Sequence, residues 1–135
     1  MNRPEIKVTL SGGLRVDAEY KGFMVKTDQP VSEGGEGTAL SPFDLFLVSV
    51  ATCAGYYVLA FCRERGIPTD KAGVVMRTEK GPESKMIDKI MIDLLLPPEF
   101  PEKYKNAVIK AVNSCTVKVH LLNPPAFEIV TKVSG

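Results

Sequence analysis

The chain has no tryptophan, a single histidine (His120) and only three cysteines, Cys53, Cys62 and Cys115, with no CxxC pair among them. So few scattered ligands lack the clustering of a zinc site, and no metal is expected. One histidine without a nucleophile elbow leaves no serine-type triad. An excess of charge is also missing, since 17 basic residues meet 16 acidic ones without a basic cluster. That balance speaks against nucleic acid as a main ligand. The glycine-rich stretch Glu33-Gly34-Gly35-Glu36-Gly37 lacks the lysine and serine of a phosphate loop and carries two acids instead, which read as solvated charges. Arg3, Glu5 and Lys7 stand where a signal peptide would have its apolar core. Cysteines in such a chain point to a reducing, cytoplasmic setting, where thiols are reactive or inert rather than bridged. Repeats and low-complexity segments are absent as well.

What the sequence does have is one long uncharged run, Leu45 to Cys62, with Cys53 in its middle. Ser41 is a good N-cap, Pro42 suits the first helical position, and Asp44 completes a capping-box-like start. Arg63 and Arg65 complement the negative end of the helix dipole, Gly66 can stop the helix, and Pro68 prevents its resumption. The signals predict a helix over 41–66. A run of that length meets the minimum for a membrane span. Ser49, Thr52, Gly55, Tyr56 and Tyr57 make it less apolar than most spans, so a buried helix of a soluble protein is the better reading, with no membrane partner. A helix apolar on all sides must be covered on all sides. The 135 residues read as one domain, small for that task, which suggests a second, identical subunit.

Around this helix the pattern predicts strands over 5–10, 14–20 and 22–27, a polar loop over 29–38, and a hairpin from 73–79 and 86–96. A second helix, amphipathic, is expected over 101–113. The segment TVKVHLL after Cys115 is ambiguous: it alternates like a strand, yet Ser114 could cap a short helix beginning at Cys115. A closing strand is expected over 126–133. The order describes an α+β fold with helices gathered against antiparallel sheet.

Among residues able to carry chemistry, Cys53 has the most suggestive neighbours. Phe46, Val50, Tyr56, Tyr57 and Ala60 fall near its helical face, and the aromatic members would suit an apolar substrate with one reactive group. Cys62 lies nine residues on, which turns it to the opposite side, and reads as a packing cysteine. An apolar setting raises a thiol's pKa, so a reactive Cys53 needs a cation from elsewhere. Arg15 is the leading source, with Lys118 and His120 behind it, although a strand arginine is as often only a solvated charge.

Two segments, SPFDLFLVSVATC at 41–53 and NSCTVKVHLLNPPAFEI at 113–129, resemble the OsmC/Ohr family of thiol-dependent hydroperoxide reductases. The resemblance covers essentially the full length. It implies an OsmC-like fold and an intertwined homodimer, with antiparallel sheets wrapped around paired cysteine helices. It also implies that Cys53 is the peroxidatic thiolate and that Cys115 resolves its sulfenic acid as a disulfide, reduced by an external dithiol and needing no cofactor. A position for Cys115 at a helix N-terminus would favour its thiolate. The best-characterised members hold the activating arginine with a glutamate directly after the proline. Here Phe43 follows Pro42 and the acid comes one later, at Asp44, a turn of about 100° along the helix. The expected catalytic set is therefore Cys53, Cys115, Arg15 and Asp44, with Phe46, Tyr56 and Tyr57 facing a hydroperoxide. The alternative is a dimeric redox-sensing or ligand-binding module with little turnover; transfer of a sulfur or acyl group through Cys53 is a third, weaker reading.

Overall fold

A computed structural model describes residues 4–83 and 85–134, and its residues gather into two compact units, one ending at Val48 and one beginning at Ser49. The first unit is built on an antiparallel meander of β1 (Lys7–Gly12), β2 (Arg15–Tyr20) and β3 (Phe23–Thr27), in that order. Lys21 and Gly22 join β2 to β3 with φ of 52° and 82°, the two positive values that a tight two-residue hairpin turn with the right strand twist requires. Beyond β3 the chain forms a short 3-10 turn, Val31–Glu33, and reaches the helix α1 (Pro42–Glu64).

The polar loop over 29–38 is more organised than its composition suggests. Asp28, 1% exposed, closes it: one carboxylate oxygen accepts the Gln29 amide (2.7 Å), and the other accepts the Thr38 amide (3.0 Å) and hydroxyl (2.6 Å). These bonds, the Thr38 hydroxyl foremost, hold the Asp28 carboxyl well below its ordinary 3.8, at about 2. Gly35 packs so closely on the Gln29 carbonyl that a Cβ there would stand 2.0 Å from its oxygen. Only glycine fits.

The start of α1 is the capping box foreseen from Ser41 and Asp44. The Ser41 hydroxyl accepts the Asp44 amide and the Asp44 carboxylate accepts the Ser41 amide, each at 3.1 Å. The helix ends as Gly66 predicts, in the left-handed region (φ 65°), with the Ile67 amide bonded back to the Cys62 carbonyl at 2.9 Å and the Gly66 amide to that of Arg63 at 3.3 Å. This is the Schellman arrangement, which satisfies carbonyls the helix would otherwise orphan.

In the second unit, β4 (Gly73–Lys80) and β5 (Ile87–Leu95) form an antiparallel hairpin, followed by a 3-10 turn at Glu102–Tyr104, α2 (Lys105–Val112) and α3 (Thr116–Leu122). Its core joins Val58, Phe61 and Cys62 of α1 to Phe100 and Val108. Phe61 stacks on Phe100 (centroids 6.0 Å apart) and meets the Tyr104 ring edge-on, while the Arg65 guanidinium lies 3.6 Å over the Phe61 ring. Burial pushes the Cys62 thiol up, and its place in this core agrees with a packing cysteine.

One ambiguity is resolved and one expectation is corrected. TVKVHLL is helical, and Cys115 itself is the N-cap, whereas the Ser114 hydroxyl bonds back to the Lys110 carbonyl. The segment over 126–133 is not a strand: no neighbour pairs with it among the described residues, and Phe127 and Ile129 are 85% and 90% exposed. As the small size of the chain suggests, α1 is not enclosed by the described residues. Val50, Ala54, Val58, Phe61 and Cys62 form one buried stripe, and only 28% of its apolar 18-residue window is buried.

Candidate functional site

The site is assembled in the second unit by α1 and the turn into α3. Cys53 lies half-buried in mid-helix, and Cys115, 2% exposed, lies at the cap of α3. A hydrogen bond joins the two thiols. Spacing along the chain could not show this, because 62 positions separate them.

Two opposed influences act on Cys115. Its position before α3 does bring the Val117 and Lys118 amides to bear, and these favour the thiolate. Burial is the larger influence, and with the thiol–thiol bond it pushes the Cys115 pKa up. The expected stabilisation of a Cys115 thiolate by the helix is thus outweighed, and Cys115 stands as a protonated partner to Cys53.

Tyr57, one turn beyond Cys53, fixes this geometry. Its hydroxyl lies 3.0 Å from that of Thr116, the residue next to Cys115, and so ties α1 to the start of α3. Tyr56 meets Tyr57 edge-on and is 61% exposed. Both tyrosines line a shallow groove shared with Phe61 and Arg65, not the cavity that holds Cys115. Phe46 belongs to the first unit, where its ring packs 5.4 Å from that of Phe43.

The Cys115 cavity measures about 400 Å³ and is aliphatic rather than aromatic. Its walls include Val50 and Ala54 of α1 and the inward row Ile90, Ile92 and Leu94 of β5. That row is the alternation visible in the sequence. Lys118 lines the cavity one turn after Cys115, and its ammonium donates to the Asn113 side-chain oxygen at 2.6 Å. The sequence marks Lys118 only as a secondary cation; the signal for its place here is the Cys115-x-x-Lys118 spacing on a helix. His120, the other secondary cation, bonds locally to the Thr116 carbonyl.

Arg15 and Asp44 lie in the first unit. The Arg15 guanidinium donates to the Glu36 carboxylate at 2.9 Å; Glu36 is exposed, as its loop suggests, and is also an ion-pair partner. Asp44 is occupied by the cap of α1.

A fold of this order is matched by known proteins. The family model described as OsmC-like protein matches residues 35–130, and the chain belongs to that family. Among solved structures, a Psychrobacter arcticus 273-4 protein described by osmotic stress and detoxification response superimposes with a TM-score of 0.74 at 23% identity, over 88% of each chain. An OsmC-like protein from Mycoplasma pneumoniae gives 0.70 at 14% identity, over 91% of this chain and 89% of its own. The organic hydroperoxide resistance protein OsmC from Legionella pneumophila gives 0.58 at 16% identity, over 90% of each. These likenesses show the fold. The comparison with curated proteins finds no match.

Proposed function

We propose that the protein is a thiol-dependent peroxidase that reduces organic hydroperoxides through Cys53 and Cys115. The observation that carries the reading is the thiol–thiol hydrogen bond between a half-buried cysteine and a buried, protonated one. Membership of the OsmC-like family and the likeness to a protein named for organic hydroperoxide resistance support it.

In this mechanism the Cys53 thiolate attacks the terminal oxygen of ROOH. The O–O bond breaks, the sulfur becomes a sulfenic acid, and the leaving alkoxide takes a proton to give ROH. The Cys115 thiol then attacks that sulfur, water leaves, and a Cys53–Cys115 disulfide forms. An external dithiol restores both thiols by exchange. Tyr57 holds the Cys115 turn in place. The activating cation falls to Arg15 by resemblance, and Glu36 supplies the carboxylate that the position after Pro42 lacks. Asp44 serves the helix start.

A homodimer completes this reading. The largely uncovered α1 and the exposed apolar residues of 126–133 are surfaces that a second copy would cover. The protein would then act as a soluble, cytoplasmic dimer.

Consumption of cumene hydroperoxide with dithiothreitol as reductant provides the test. Wild type is expected to turn over at least a hundredfold faster than Cys53→Ser; equal rates would defeat the enzyme reading. A Cys53 that oxidises without turnover would identify a redox-sensing module, the reading favoured by Phe43 directly after Pro42.

A further inference from the structure

The aliphatic cavity beside Cys115 has one polar corner. Among the described residues, Lys118 is the one charged side chain in its lining, and it is half-buried. Its observed partner is the neutral Asn113 oxygen. With that oxygen engaged, the pair still offers the Asn113 amide hydrogens and two ammonium hydrogens. The corner is rich in donors and carries a positive charge. It therefore suits a ligand head that is anionic and accepts hydrogen bonds, with an apolar tail along β5 and α1. A ten-carbon chain, at roughly 30 Å³ per carbon, close to the volume share of a water molecule, would take up about 300 Å³. The cavity of about 400 Å³ accommodates it.

The head would lie near the Cys115 sulfur, because Lys118 is one helical turn from Cys115 and both line the cavity; Cys53 lies outside that lining and adjoins it through its hydrogen bond to the Cys115 thiol. We propose that the cavity binds medium-chain aliphatic carboxylates, with Lys118 and Asn113 on the carboxylate, and that its peroxide substrates are the corresponding peroxycarboxylic acids. The substrate part rests on the peroxidase reading above. The chemistry fits the corner: the Cys53 thiolate attacks the terminal oxygen of RC(O)O–OH, the S–O bond forms with the hydrogen still on that oxygen, and the O–O bond breaks. The electron pair leaves with RCOO⁻, so no added proton is required. Negative charge develops on the carboxylate where Lys118 and Asn113 are already placed to receive it.

The binding test uses decanoate, with decanol as uncharged control, in calorimetric titrations of the wild-type protein. Decanoate is expected to bind at least tenfold more tightly than decanol. Lys118→Met, which keeps the apolar stem, should abolish that preference and Lys118→Arg should retain it, with circular dichroism verifying that both variants fold. Equal binding of decanoate and decanol by wild type, or undiminished decanoate binding by Lys118→Met, would overturn the site. For the substrate, peroxydecanoic acid should give a kcat/KM at least tenfold above decyl hydroperoxide in wild type and not in Lys118→Met. Turnover of both peroxides without that preference would overturn the substrate class. Decanoate binding through Lys118 with no turnover of any peroxide would instead defeat the peroxidase reading and support the carboxylate site.

Discussion

At the scale of single residues, helical geometry could rank the cysteines, but only the family resemblance paired Cys53 with Cys115. Helical geometry separates Cys53 from Cys62 because nine residues are two and a half turns. The contact with Cys115 depends on how α3 is folded back, and no local pattern encodes it. Glu36 was hidden for a related reason, since its bond to Arg15 spans 21 residues of chain. The pair is exposed, so its loss should cost less than about 1 kcal/mol of stability. Its effect on rate should be larger. Glu36→Gln is expected to lower kcat/KM for peroxide about tenfold by freeing the arginine, with partial recovery in Glu36→Asp; steady-state kinetics of the two variants check this. Asp28 gives a pH prediction. Its folded pKa of about 2 lies below its ordinary 3.8, so it stabilises the fold above that ordinary value, and the contribution is lost as pH falls toward 2. Urea denaturation should find wild type more stable than Asp28→Asn at neutral pH, with the difference shrinking across that window.

At the scale of elements, the ends of α1 were legible to the residue because caps are local chemistry: Ser41, Asp44 and Gly66 each act within a few positions. The stripe Val58, Phe61 and Cys62 supplies the helix's hold on its core. Phe61 contacts Phe100, Tyr104 and Arg65 together. Phe61→Ala should therefore cost about 3–5 kcal/mol, measurable as a shift in denaturation midpoint. The harder elements were those whose type depends on partners. TVKVHLL alternates like a strand, yet Cys115 caps it as a helix. The residues over 126–133 have the composition of a strand, but a strand forms only against a neighbouring edge, and the described residues offer them none.

At the scale of the whole molecule, the α+β order and the antiparallel pairing could be read from turn residues and alternation, and the structural relatives bear them out. The cavity could not, because its walls come from α1, β5, α2 and α3 together. The sequence places aromatic residues beside Cys53, whereas the separate cavity beside Cys115 is lined by aliphatic ones. The uncovered face of α1 leads to a prediction about assembly. Light scattering at micromolar concentration should give twice the 14.7 kDa chain mass, and a monomer there would contradict the homodimer.

The cysteines are free thiols, and a disulfide between Cys53 and Cys115, as proposed, would close a long stretch of chain, with an electrochemical consequence. Joining residues 62 positions apart would take about 4 kcal/mol of loop entropy out of the unfolded chain. If the folded geometry accepts the disulfide without strain, the cycle requires the same energy to appear as resistance to reduction, roughly 90 mV toward negative potential relative to the same cysteines in an unfolded chain. The dithiol that resets such a pair would then have to be more strongly reducing than one that suffices for the same cysteines in an unfolded chain.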